Sequence, residues 1–413
     1  MKFLYNIGLR GYHLGIATAG LLGKDKAVKW LEGRRNWRSK LSEAKWQNPI
    51  WVHASSMGEF EQAKPLIEKI RSEHPKQQIL VTFFSPSGYE MAKDYQLADE
   101  VIYLPLDTKK NARIFIETVQ PKIAVFVKYD FWFNFLIELQ NQKIPTLYFS
   151  CNFRTEQMYF KSSMKWQRSI MQEIDLIYCL NGASKKVLMD NGFTNADICG
   201  DTRFDKVKQN AARISEVDFI SGFKGDNRLL VLGSSWPEEE EIVEGYWNSE
   251  KPNGLKIIVV PHNISESHLV QIEARFANQI IRYSNLSESL AEQYPIILID
   301  CIGLLANLYQ YADISFVGGG FSNALHNILE PAAMGSALLY GNNNKKFPEG
   351  KAMEEFGGGH NVSDAKDFNY QMLKWLREPS LLHEVQQKSK SFVDSQVGAT
   401  NKVYDQVIRL MNS

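Results

Sequence analysis

The sequence predicts an α/β protein built from two doubly wound parallel sheets. Three observations carry that prediction. Short apolar runs recur along the chain, each closed by turn-forming residues and followed by apolar residues at helical spacing. At 413 residues the chain is too long for one ordinary core, so two domains of roughly 200 residues are expected. The strand–helix rhythm is interrupted by the polar stretch 208–227, read as a linker, and starts again at Arg228.

Hydrophobic content of 44% beside 23% charged residues is that of an ordinary globular protein. A formal net charge of zero argues against a dedicated nucleic-acid binder. That balance conceals a basic run near the start: Lys24, Lys26, Lys29, Arg34, Arg35, Arg38, Lys40 and Lys45 against Asp25, Glu32 and Glu43. Cys151, Cys179, Cys199 and Cys301 form no CxxC pair and read as reduced core thiols of a cytoplasmic protein. The eight histidines contain no HExxH pattern, so no resident metal is expected.

Residues 1–45 are expected to form a membrane-associated helical segment. The stretch 1–22 is apolar but interrupted by Asn6, Arg10 and His13. The interruptions argue against a signal peptide and against a spanning helix, which needs about 20 largely uncharged residues. Aromatic and aliphatic residues followed by basic ones suit a helix lying in the membrane interface. The competing reading is a first helix packed on the adjacent domain.

The first domain, 46–207, opens with a strand at 50–54 and the turn Ser55-Ser56-Met57-Gly58-Glu59. A helix follows in which Ala63, Leu66, Ile67 and Ile70 share a face. A carboxylate at such a turn lies at the carboxyl edge of a parallel sheet, where open α/β sheets bind ligands, so Glu59 is the candidate base. Its plainer reading is a first-turn acid that complements the helix dipole. Strands at 78–84, 100–104, 122–127, 145–150, 175–179 and 196–199 repeat the architecture. Polar residues gather after them: Ser85, Ser87, Lys128, Asp130, Asn152, Arg154 and Arg203. Ser55, Ser56, Gly58, Ser85 and Arg154 are the acceptor- and phosphate-binding candidates. Arg154 and Arg203 suit phosphate because a guanidinium makes paired hydrogen bonds to it.

The second domain, 228–413, begins with a strand at 228–232. Gly233-Ser234-Ser235-Trp236-Pro237 follows, then a helix with acids in its first turn, read as dipole partners. Further strands are expected at 255–260, 281–283, 296–299, 314–317 and 337–340, and the tail 371–411 is expected to be helical. Between the last two strands lie Gly318-Gly319-Gly320 and a helix start near His326-Asn327. Glycines let backbone approach a ligand, and the N–H groups of a helix start attract phosphate. Glu330, about a turn into that helix, is placed to reach ribose hydroxyls. The plain alternative is a tight turn. A nicotinamide-binding Rossmann enzyme is disfavoured, since no GxGxxG is followed by an acid about 20 residues on.

Four stretches occur in order: Trp51-Val52-His53-Ala54-Ser55-Ser56-Met57-Gly58-Glu59, Tyr103-Leu104-Pro105-Leu106-Asp107, Phe131-Trp132-Phe133-Asn134, and Phe316-Val317-Gly318-Gly319-Gly320 with His326-Asn327-Ile328-Leu329-Glu330-Pro331. Together they resemble the 3-deoxy-D-manno-octulosonic acid (Kdo) transferases of lipopolysaccharide core synthesis. These are GT-B glycosyltransferases with two Rossmann-like domains facing a central crevice. The resemblance implies transfer of Kdo from CMP-Kdo to a lipid A precursor (lipid IVA), with inversion and no covalent enzyme intermediate. It makes the first domain acceptor-binding and the second CMP-sugar-binding. It makes Glu59 the general base and gives Asp130 and Arg203 roles in stabilising the transition state. The CMP site it implies comprises Pro261, His262, Ile302, Gly303, Leu304, Gly318, Gly319, Gly320, Asn327, Ile328, Leu329 and Glu330. It implies no metal or cofactor, no nucleic-acid partner, and a place at the cytoplasmic face of the inner membrane, with the N-terminal segment on the membrane surface.

The sequence also departs from the family pattern. Lys128-Tyr129-Asp130 stands for an acidic Glu-Thr-Glu run, and Trp132-Phe133-Asn134 for Trp-Pro-Asn. His262 stands for an arginine, Leu304 for an acid and Arg203 for a lysine. Two other readings therefore stay open: a GT-B enzyme using a UDP-sugar, and a catalytically silent nucleotide-sugar or lipid-binding protein.

Overall fold

A computed structural model describes residues 2–322, 325–343 and 347–412. The stretch between Gly320 and the helix start expected near His326-Asn327 thus falls partly, at 323–324, outside the described residues. The chain forms two compact units, Met1–Lys206 with Val397–Ser413, and Val207–Gln396.

The first unit is built on β1 (Ile50–His53), β2 (Ile79–Phe83), β3 (Glu100–Tyr103), β4 (Ile123–Val127), β5 (Thr146–Cys151), β6 (Leu176–Cys179) and β7 (Ala196–Ile198). The sheet is parallel throughout, in the order β3-β2-β1-β4-β5-β6-β7. Its central strands are near-continuous apolar runs because helices cover both faces. Trp51, Leu80, Ala124, Phe126 and Tyr148 enter one core, and Ile50, Val52, Val81 and Val125 the other. In the register His53 lies beside Thr82 and Phe126, which brings the turns after β1, β2 and β4 together.

Three helices, Lys2–Leu21, Asp25–Gly33 and Trp37–Glu43, belong to this unit rather than forming a segment of their own, and Trp37 and Leu41 enter its core. Among the described residues no helix is long and apolar enough to cross a membrane.

The second sheet contains β8 (Arg228–Ser235), β9 (Leu255–Pro261), β10 (Ile280–Arg282), β11 (Ile296–Leu298), β12 (Ile314–Val317), β13 (Ala337–Gly341) and β14 (Gly359–Val362). Its order is β10-β11-β9-β8-β12-β13-β14, again parallel. The sequence reading has no β14, which opens on Gly359 after two further glycines. Close packing demands those glycines: a Cβ on Gly358 would lie 2.6 Å from the Ser389 Cα.

Two boundaries differ from the sequence reading. The helix Ala399–Asn412 leaves the second domain for the first: Val403 and Val407 enter a core of the first unit, and the Asp205 carboxylate accepts from the backbone N–H groups of Gly398 (2.6 Å) and Thr400 (2.8 Å). The stretch 208–227 is not a bare linker. Helix Thr202–Ala211 runs into it, and Val217, Ile220 and Phe223 are buried in a core of the second unit. Its polar average hides these apolar anchors.

Candidate active site

In the first unit the carboxyl edge gathers Ser55, Ser56, Glu59 and Asp130. Helix Met57–Glu73 starts at a capping box: the Ser56 N–H donates to Glu59 Oε2 at 3.0 Å. Glu59 is thus a first-turn acid, as the plainer reading has it, and also closes the capping box. Burial, reinforced by the charge of Asp130, still lifts the Glu59 carboxyl to about 7 against the help of Lys128 and two backbone N–H groups. Burial also raises the Asp130 carboxyl, which faces Ser55 and Glu59. Its buried Oδ2 has no hydrogen-bond partner among the described residues. The Asp130 charge opposes ionisation of Glu59, while a hydrogen bond from Glu59 favours the Asp130 anion, so the pair, with one unmet acceptor, forms a proton-holding site.

A buried scaffold fixes this edge. The Trp132 indole N–H donates to His53 Nε2 at 2.9 Å, so His53 carries its proton on Nδ1, which donates to Thr82 Oγ1 at 2.8 Å. Burial pushes the imidazole down to about 3, so it stays neutral and acts as a brace. Ser55 Oγ lies 3.2 Å from His53 Nε2, and the Ser85 N–H donates to the Ser55 carbonyl at 2.8 Å. Lys128 and Ser150, at the ends of β4 and β5, have φ of 62° and 57°, strained values for side-chain-bearing residues and ones that cluster at functional sites. The Cys151 thiol donates to the Lys128 carbonyl at 2.7 Å.

Arg203 joins this group indirectly. Its Nε donates to Asp201 Oδ2 at 2.9 Å, and Asp201 accepts from the Gln62 amide, one turn beyond Glu59, at 3.2 Å. Arg154 is exposed, and its Nε lies 3.8 Å from the Glu156 carboxylate. Gly58 is exposed with open space beside it.

In the second unit the glycine run is buried and packs strand ends together. A Cβ on Gly318 would sit 2.1 Å from the Ser234 carbonyl oxygen, and one on Gly320 2.3 Å from the Gly341 nitrogen. Gly319 has φ of 81°. The three glycines therefore let the ends of β8, β12 and β13 close on one another. The helix behind them is only Leu329–Ala333, and the Leu329 N–H is already given to Asn327 Oδ1 at 3.0 Å. One N–H donor of this helix start is thus already used within the protein. Glu330 is half-buried and accepts from the Asn327 amide at 3.1 Å. Ile328 and Leu329 are buried, leaving only their backbone to a ligand. Ile302 is 87% exposed, Gly303 has φ of 103°, and Leu304 is partly buried.

Residues that the sequence reading treats as dipole partners or leaves unused organise these loops. Glu239, lifted to about 7 by burial, accepts from the backbone N–H groups of Trp236 (3.1 Å) and Gly319 (2.9 Å). Glu240 accepts from Ser235 Oγ (2.8 Å) and pairs with His268 Nε2 (3.0 Å). The other ring nitrogen of His268 meets the Asn263 carbonyl at 2.8 Å. Two neighbouring acids thus hold the loops after β8, β9 and β12. Trp236 stacks on His262 at 4.7 Å, with His326 a further 4.7 Å on, and donates to His326 Nε2 at 3.2 Å. The sequence signal was the run of four acids, Glu238-Glu239-Glu240-Glu241, at that helix start. Among the described residues, no group of three or more His, Cys, Asp or Glu is placed to hold a metal.

Two parallel α/β units with such carboxyl-edge loops define a protein of the GT-B fold class. In keeping with this, the chain is similar in fold to the UDP-GlcNAc 2-epimerase of Neisseria meningitidis solved with UDP-GlcNAc: TM-score 0.61, 12% identity, covering 87% of this chain and 100% of that one. Within the class, residues 31–206 match the family model of the 3-deoxy-D-manno-octulosonic-acid transferases (kdotransferases). The 3-deoxy-D-manno-octulosonic acid transferase of Aquifex aeolicus is 27% identical over 83% of this chain and 89% of that protein. That of Haemophilus influenzae is 28% identical over 73% and 72%. The match to the Kdo transferase family thus lies in residues 31–206, and the chain is similar to glycosyltransferases of that family over most of its length.

Proposed function

We propose that the protein transfers Kdo from CMP-Kdo to a hydroxyl of a lipid A precursor, lipid IVA, with inversion at the anomeric carbon. The observation that carries this reading is the Glu59–Asp130 carboxyl pair, with Glu59 poised at about 7 and Asp130 Oδ2 without a partner. Glu59 takes the proton of the acceptor hydroxyl as its oxygen attacks the anomeric carbon, and CMP leaves with the electrons of the broken bond. Arg203, oriented by Asp201, meets charge developing on the phosphate, and Asp130 holds the reacting sugar by its open oxygen. The loops carrying His262, Ile302 and Asn327–Glu330 hold CMP. No metal or cofactor takes part. The exposed Phe3, Leu4 and Leu14 of the first helix, with the basic run after it, support attachment to the cytoplasmic face of the inner membrane.

Purified protein in detergent, given CMP-Kdo, tetraacylated lipid IVA and a chelator, yields CMP and a Kdo-bearing lipid by mass spectrometry. Glu59→Gln lowers the rate about 100-fold or more, as expected for loss of a general base. Folded wild-type protein that forms no Kdo-bearing lipid would refute the reading.

A further inference from the structure

The N-terminal helix, Lys2–Leu21, buries none of its residues, yet its inner side reaches the turn that carries Asp130. The Tyr5 hydroxyl donates to Asp107 Oδ2 at 2.5 Å. Asp107 is fully buried, and its carboxylate also accepts from the backbone N–H groups of Asn134 (3.1 Å) and Phe135 (2.9 Å). The Asn134 amide donates to the Asp107 carbonyl at 2.5 Å and to Asn6 Oδ1 at 3.2 Å. Asp107 thereby caps helix Phe133–Asn141, which begins immediately after Tyr129–Trp132. On the other side of that turn the Tyr12 ring lies 6.0 Å from Phe84, which packs 4.5 Å from Trp132. Cavities of about 390 Å³ and 310 Å³ border this arrangement, and the second is lined by both Tyr5 and Asp130.

We propose that Tyr5 is a positioning residue: through Asp107 it fixes the start of helix Phe133–Asn141, and with it the Asp130 turn facing Glu59. The inference rests on the reading of Glu59 and Asp130 as the reacting pair. The physical ground is that Asp107 is buried, so its grip on two helix N–H groups depends on full hydrogen bonding. Removing the Tyr5 hydroxyl leaves a buried carboxylate one donor short. The latch works only while the first helix is seated. The exposed side of that helix sets Phe3, 75% exposed, and Leu14, 68% exposed, beside the exposed Arg10, a mixture suited to a lipid surface that leaves Tyr5 seated on the domain.

Tyr5→Phe keeps the ring and removes only the donor. Peptides covering Asn134 and Phe135 are expected to exchange amide hydrogen about tenfold faster than in wild type, with helix Lys109–Val119 unchanged as the folding control. On acceptor in detergent micelles, where bilayer anchoring plays no part, kcat falls about tenfold and the KM for CMP-Kdo is unchanged. Asp107→Asn, close in shape, shows the same pattern. Unchanged exchange at 134–135, or faster exchange with unchanged kcat, overturns the proposal. A wild-type protein without Kdo transfer would instead sink the functional reading, and the exchange comparison would still decide the latch.

Discussion

Glu59 caps its own helix and sits in a buried pair, and these two demands act on its proton in opposite directions. The cap favours the anion; desolvation and Asp130 favour the acid and prevail, holding the group at about 7. Activity that needs Glu59 as a base therefore rises with pH through about 7 and levels off above it. A flat pH–rate profile from pH 5 to 8 would remove Glu59 from that role. Stability runs the other way. A carboxyl whose folded value lies above its unfolded one leaves stability intact below about 4.5 and lowers it as pH rises through about 7. Glu59→Gln retains the cap acceptor, so it should stabilise the protein at pH 8 by about 1–3 kcal/mol and change little at pH 4.5, as read from urea midpoints at the two pH values.

At the scale of elements, the glycines separate by what surrounds them. Gly320→Ala would drive a Cβ to within 2.3 Å of the Gly341 backbone, and neither strand end can yield without opening the sheet. A loss of about 3 kcal/mol is expected. Gly245→Ala, on helix Pro237–Glu250 with nothing within 4 Å, should stabilise by about 0.5–1 kcal/mol through helix propensity. Denaturant unfolding of the two variants should move in opposite directions, and equal shifts would contradict the packing account. The acids of that same helix show how an element acquires a second duty. Glu239 holds Gly319 and Glu240 holds His268, so one helix start sets the loops of three strands.

At the scale of the molecule, the proposed division of labour gives the second unit the nucleotide. Binding of CMP to the folded protein alone raises the melting temperature, with about 2.7 kcal/mol gained at a hundredfold excess over Kd. CMP is expected to shift the transition by several degrees and UMP by less. Absence of any CMP shift, or a larger one with UMP, would favour a different nucleotide sugar.

The sequence by itself determined the two parallel sheets. Thirteen of their strands could be read because buried parallel strands are near-uniform apolar runs between turn residues, and that signal is local. It also singled out Glu59 and Asp130 as residues just beyond strand ends. Only the tertiary structure decided what surrounds them. β14 was hidden because it opens on glycine, and the glycine before it, Gly358, is there for Ser389, about thirty residues on. The C-terminal helix joined the first unit because Asp205 caps it across nearly two hundred residues of chain. The glycine run turned out to close strand ends, and Glu239 to hold it, for the same reason. Burial and hydrogen-bond partnership depend on neighbours that are distant in sequence, whereas apolar periodicity is written into each segment alone.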